Sequence, residues 1–370
     1  MPNYSATGFL EKGRAIKFKQ NLEETIARNR ALWGRESEGR VLAKIDLDSC
    51  RSYETWDRAI APDVCPDAVK MLEVFFDDFA KRADLLDDGT PTARPNIGDA
   101  AFGAYAGAEI TFVQGGGVSK PMLDDLADLG RLRYDPRSPW LAHLEESTRY
   151  FSEACDGACP TSIIETVDGL NFAENVMGPK AFFEIYDHPR ELLRLFDFAL
   201  EFNVRMIEMQ RKYIKKWEGG YFDLHEEWLP GDCVWLSIDA WGLCSPESFR
   251  SLGRNHLQRI MDHFGGGWLH MHNSHLHLLE EVVGLDGLVG IGILDDPRQE
   301  LCFERLSRIQ AVTRDIPLQI WCTKNQLLRG IAERTLPRNV MYWVTSGVAT
   351  VEEGNRIMEK VRDYDAAPEG

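Results

Sequence analysis

Four of the nine histidines in this 370-residue chain, His270, His272, His275 and His277, stand within eight positions of one another. The surrounding stretch, residues 266–281, reads GGWLHMHNSHLHLLEE. Glycines 265–267 break the chain before it, and Trp268-Leu269 begins an extended run. Alternate side chains of a strand share a face, so His270 and His272 point the same way. On a barrel strand that face is the interior, whose mouth holds ligands and metals. Two imidazoles about 6–7 Å apart along a strand can close onto one divalent ion, with a carboxylate completing the set. Hydrogen-bonded packing gives the same sequence pattern, and His275 and His277 read equally well as the start of the next helix.

The elements that must position these groups are legible as alternating periods. The first 40 residues are polar with helical spacing and read as an appended arm. Residues 41–47 read as a strand, 66–83 as an amphipathic helix, 108–113 as a short strand in a loop-rich region, and 162–167 as another strand. A long helix follows Asp187-His188-Pro189. Strands at 233–239, 268–272, 288–293, 317–322 and 340–345 then alternate with helices, the first of them opened by Ser245-Pro246. Five strand–helix units in succession require a parallel sheet, and the earlier strands bring the count close to eight. The expected fold is an α/β TIM (β/α)8 barrel over residues 41–370, with an N-terminal helical extension over 1–40. An open doubly wound sheet is the competing arrangement, but no GxGxxG follows any strand.

In such barrels the reacting groups sit at the C-terminal ends of strands. Those ends carry Asp239, then His270, His272 and Asn273, then Asp295 and Asp296, then Cys322, then Thr345 and Ser346. Asp239, His270 and His272 are the candidate catalytic groups. Trp241, Asn273, Asp295, Trp321 and Cys322 are the candidate substrate contacts. His225 and Glu226, in the acidic stretch 223–228, are candidate further ligands of a metal on His270 and His272, because imidazole and carboxylate both ligate zinc. A solvated loop is the alternative for that stretch, and a helix N-cap is the alternative for Asp296.

Composition narrows the classes. Lys and Arg total 42 against 59 for Asp and Glu, a net charge of −17 that repels phosphate backbones and argues against nucleic-acid binding. No apolar stretch is long enough to cross a bilayer, and Met1-Pro2-Asn3-Tyr4 opens no basic-then-apolar signal. A soluble cytoplasmic protein without membrane partners is expected. The eight cysteines form no CxxC pair and read as buried reduced thiols.

Asp239-Ala240-Trp241 followed by Ser245-Pro246-Glu247-Ser248-Phe249 resembles a stretch of the uroporphyrinogen decarboxylase superfamily, as does its spacing to Trp268–Asn273. Asp187-His188-Pro189-Arg190-Glu191 is similar to that superfamily's entry into a helix. The superfamily includes a decarboxylase of haem synthesis and zinc-dependent methyltransferases that serve corrinoid or thiol cofactors. Its methyltransferases carry a histidine and a cysteine as zinc ligands on the strand matching 268–273. Here His270 takes the histidine's place and His272 the cysteine's. The resemblance therefore implies a TIM barrel that moves a methyl group from a small substrate to a thiol or a corrinoid carried by a partner protein. Zinc and a homodimer are implied with it. A second zinc-ligating cysteine after the last strand is replaced by Thr345-Ser346-Gly347, and the arginine-rich start of the decarboxylases has no counterpart in residues 1–60. Metal-free decarboxylation or proton transfer by Asp239 and a histidine, hydrolysis at an HxH metal site, and a non-catalytic binding barrel are the alternatives.

Overall fold

Runs rich in Val, Ile, Leu and aromatic residues pair side by side, each buried on both faces as parallel strands require. The computed structural model describes residues 18–36, 39–113 and 115–366. It forms β1 (Val41–Ile45), β2 (Thr166–Val167), β3 (Val234–Ser237), β4 (Gly267–His272), β5 (Leu288–Leu294), β6 (Leu318–Thr323) and β7 (Val340–Ser346). The sheet order is β1-β7-β6-β5-β4-β3-β2, and every neighbouring pair is parallel. Helices Arg254–Phe264, Cys302–Thr313, Lys324–Glu333 and Val351–Ala366 alternate with the later strands as expected. The first of them ends at Gly265, whose left-handed φ of 75° suits a residue without Cβ and releases the chain into β4.

Seven strands form the parallel sheet among the described residues, where the sequence pattern approached eight. Residues 108–113 do not join the sheet: Ile110–Val113 pairs antiparallel with Gly116–Ser119 in a separate hairpin. Between β1 and β2 runs an irregular stretch that touches β1 and the segment leading into β2. Asp88 N–H donates to Ala43 O at 2.8 Å, and Ala93 bridges Thr161 in parallel. Side chains replace part of the missing ladder, since Asp88 Oδ2 accepts from Ala43 N at 2.9 Å and Asp87 Oδ2 from Ile45 N at 2.8 Å. An aspartate-rich segment carries no strand periodicity, which is why its role is hidden in the sequence.

Each strand divides its side chains between two cores. Val41, Ala43, Ile45, Leu269, Met271 and Cys322 face the helices in the large outer cluster. Leu42, Trp235, Trp268 and Met341 face inward and form a second cluster with Trp33 and Trp228. Trp33 ends helix α1 (Leu22–Trp33), so the expectation of an appended arm is corrected for residues 18–36. Residues 1–17 lie outside the described residues. Helix α1 is a stopper at the N-terminal ends of the strands: Trp33 Nε1 donates to Glu227 Oε2 at 2.7 Å, and its ring meets Trp268 edge-on at 5.9 Å. Room comes from β5, where a Cβ at Gly290 would lie 2.7 Å from both tryptophan rings. The Phe18 ring lies tilted against Phe76 of the outer core at 4.6 Å, so the described residues on either side of position 40 share one packing.

A hairpin of Gly220–Phe222 with Trp228–Pro230 enters the interior from the same end. At its tip Asp223 Oδ1 accepts from His225 N at 2.7 Å and from Glu227 N at 2.9 Å, a side-chain-closed turn. The solvated-loop reading of residues 223–228 is thereby corrected, because Asp223, His225, Glu226 and Glu227 are all buried.

Candidate functional site

Strand β4 alternates as its sequence dictates, with Leu269 and Met271 in the outer core and Trp268, His270 and His272 inward. The two imidazoles face each other, His270 Nε2 standing 3.1 Å from His272 Nε2. Asp239, in the turn directly after β3, brings Oδ1 to 3.6 Å from His270 Nε2 and 3.8 Å from His272 Nε2. One ligand atom from each of these three residues lies within 4.8 Å of the others.

Outer groups fix this arrangement. Asp296 Oδ1 accepts from His272 Nδ1 at 2.8 Å. A carboxylate only accepts, so Nδ1 carries the proton and the His272 Nε2 lone pair faces His270. Burial pushes the Asp296 carboxyl up, but hydrogen bonds from the Ser274 hydroxyl and the His272 ring outweigh it and hold the carboxyl below its usual range. Burial drives His270 down to about 4, so it is neutral at neutral pH. Its ring stacks on Trp235 at 5.0 Å. On the third side Ser237 Oγ donates to Asp239 Oδ2 at 2.8 Å and accepts from Asn171 Nδ2 at 3.0 Å. Asn171 belongs to helix α2 (Gly169–Met177), capped by Asp168.

The donor set fits a divalent cation. Imidazole nitrogens bound at about 2.0–2.1 Å to one ion stand roughly 3 Å apart, and a carboxylate oxygen is a normal third ligand. His270 Nδ1 is buried and has no hydrogen-bond partner among the described residues. The same 3.1 Å separation also accommodates a hydrogen bond from His270 Nε2 to His272 Nε2.

The other expected site residues divide. Trp321 faces inward, edge-on to Tyr53 at 5.5 Å and to Trp343 at 5.7 Å. Trp241 does not line the mouth: it is fully buried, its Nε1 bonds Asp168 Oδ1 at 2.8 Å, and its ring packs on Phe249. Cys322 faces the outer core, where burial pushes its thiol up and leaves it inert. Asn273 and Asp295 both hold neighbouring chain. Asn273 Nδ2 bonds Asp295 Oδ1 and Glu300 O, both at 3.1 Å, and Asp295 Oδ1 takes Cys302 N at 2.7 Å at the helix entry. Asp296, read as a possible cap, instead orients His272.

Neither further metal ligand joins the converging set. His225 Nε2 meets Tyr53 Oη at 3.1 Å, and its ring lies 5.2 Å from that of His270. Glu226 is shared among Lys44 at 3.5 Å, Arg82 at 3.8 Å and Arg94 at 3.9 Å. His275 Nδ1 accepts from His272 N at 3.2 Å, and His277 bonds backbone carbonyls, so both serve the turn after β4.

Sequence reading missed Tyr53, Lys44, Arg94 and a carboxyl pair, Asp99 and Glu165. Lys44 was findable: it occupies an inward position of β1 and sits 3.5 Å over the Trp343 ring. Burial, with repulsion from Asp99, pushes the Glu165 carboxyl well above the usual range, while Asn96 Nδ2 donates to its Oε2 at 3.2 Å.

No family model and no curated protein matches this sequence. Among solved structures, a methyltransferase from Methanosarcina mazei is similar, with a TM-score of 0.58 at 14% identity over 91% of this chain and 97% of that one. At that identity the likeness shows a shared α/β fold.

Proposed function

We propose that this chain is an enzyme that transfers a methyl group from a small methylated substrate, at the mouth where Asp239, His270 and His272 converge. We take the parallel sheet as a closed TIM-type barrel, its eighth side supplied by the stretch around 88–94. The observation that carries the reading is the facing pair of imidazole nitrogens, 3.1 Å apart, beside a carboxylate and backed by Asp296. The methyltransferase fold likeness and the resemblance of the 239–249 and 268–273 stretches support it.

His270, His272 and Asp239 would hold the divalent cation, zinc by the family resemblance. Such an ion supplies Lewis-acid polarisation of the donor or deprotonation of an acceptor thiol. The chain's own residues do the rest. Asp296 keeps His272 in the Nδ1–H tautomer, Trp235 fixes the His270 ring, and Ser237 turns the Asp239 carboxylate toward both. Tyr53, Trp321 and Trp343 form an aromatic wall that orients substrate and excludes water. A thiol or a corrinoid protein would take the methyl group.

The test is turnover of methyl ethers, methylamines and methyl thioethers with a thiol or a cobalamin-loaded protein as acceptor. The reading expects product that disappears on chelation and in His272→Ala. A second reading, metal-free decarboxylation or proton transfer, is favoured by the 3.1 Å His270–His272 separation, which a hydrogen bond also fits, with the Asp239 carboxylate beside it. Chelator-resistant carbon dioxide release from carboxylated substrates, without methyl transfer, would select it.

A further inference from the structure

Arg94 is buried to 2% exposure in the irregular stretch between β1 and β2. The preceding residue, Ala93, bridges Thr161 and packs in the outer core, so alternation sends Arg94 inward. Its Nε and Nη1 have no hydrogen-bond partner among the described residues. Its nearest anion, Glu226 Oε1, stands 3.9 Å from Nη2, too far for a hydrogen bond, and Glu226 is already divided with Lys44, Arg82 and Ser52. The Trp56 ring, 5.5 Å away, supplies only a weak cation–π contact. A buried guanidinium with idle donors is costly, so a partner is expected. A void of about 10 Å³ beside Arg82, Arg94 and Glu226 has room for one water, which would satisfy one donor and leave another.

We propose that Arg94 anchors a carboxylate of the substrate, on the far side of Tyr53 and His225 from the His270–His272 pair. Arg94 lies 3.9 Å from Glu226, the residue after His225, and 5.5 Å from the Trp56 ring, one turn along the helix from Tyr53; Tyr53 and His225 are joined at 3.1 Å. His225 in turn packs against His270. An anion on Arg94 therefore stands across this pair from the imidazoles, as the two ends of one small substrate would. A planar monoanion suits the surroundings better than a phosphate. Glu226 beside Arg94 and Asp239 beside the imidazoles already bring carboxylates to the two ends, and a second negative charge on the ligand would add to their repulsion. This deepens the proposed function and rests on it for the placement of the reacting end.

Calorimetric titration of metal-loaded and metal-stripped protein with methoxyacetate and benzoate tests the anchor, with neutral methoxyacetamide and inorganic phosphate as comparison ligands. The carboxylates should bind at least about 10-fold more tightly than either comparison ligand, the factor a charge-assisted hydrogen bond supplies. Arg94→Lys should lose about 10-fold or more, because an ammonium cannot match the guanidinium plane. Arg94→Gln leaves Glu226 with Lys44 and Arg82, removes the guanidinium charge, and should abolish the preference for carboxylate over amide. His270→Ala should lose metal yet keep carboxylate binding, so failure of the metal site and failure of the anchor are separable. Equal binding of acid and amide, unchanged binding in Arg94→Lys, tighter binding of phosphate, or no carboxylate binding by the wild type would each overturn the proposal.

Discussion

The same strands build both ends of the interior, and the two ends do opposite things. Along β4 the inward residues run Trp268, His270, His272; along β3 and its turn, Trp235, Ser237, Asp239; along β1, Leu42, Lys44, Asp46. At the N-terminal end tryptophans from strands, helix α1 and the hairpin fill the space and exclude water. At the C-terminal end the same alternation delivers imidazoles and carboxylates in hydrogen-bonded pairs. Stability and chemistry are thus separated along the strand axis by about two residues, and substitutions should separate with them.

Trp33→Ala is the severest test of the lower end. It removes the stopper's largest side chain and should cost about 3–5 kcal/mol of unfolding free energy. Zinc affinity of the folded fraction should change little, as read by denaturant melts paired with metal titration. A large loss of affinity without loss of stability would break the comparison.

Asp168 follows β2 at its C-terminal end, with Oδ1 accepting from Trp241 and from the first turn of α2. Burial pushes its carboxyl from 3.8 to about 7. Because the folded value is the higher one, its contribution to stability is complete below the unfolded value and is lost as pH rises through about 7. Asp168→Asn removes that dependence. Its stability relative to wild type should improve by on the order of 3 kcal/mol between pH 4 and pH 8. Parallel pH profiles of variant and wild type would show the burial argument to be mistaken.

His270→Ala and His272→Ala should each weaken zinc binding by more than about 100-fold while moving the unfolding free energy by no more than about 1 kcal/mol. Asp296→Asn is milder. It keeps all three proposed ligands but loses the carboxylate that sets the His272 tautomer, so affinity should fall about 10–100-fold with an unchanged melting temperature. If Asp296→Asn binds zinc as wild type does, the 2.8 Å contact is incidental to the site.

Much of this was legible beforehand, and the reason differs by element. The later strands repeat a regular hydrophobic run bounded by turns, and all five formed where periodicity placed them. His270 and His272 could be put on one face because the period of a strand is two. Period alone does not say which face a residue outside the strand takes. Trp241 and Asn273 stand after their strands, in turns whose hydrogen bonds carry them into the core or onto neighbouring chain. Cys322 lies within β6, yet counting inward from Trp321 puts it outside. Helix α1 reads as polar along most of its length, and only the burial of Ile26, Leu32 and Trp33 reveals the stopper. Arg94 was invisible because its segment uses aspartates in place of a strand ladder.

The most direct measurement is zinc stoichiometry and affinity on metal-stripped wild type beside the His270→Ala/His272→Ala double variant. The account predicts one ion per wild-type chain and none on the variant, both proteins remaining folded. Equal zinc binding by the two, or none by the wild type, would contradict a metal centre at the meeting point of Asp239, His270 and His272.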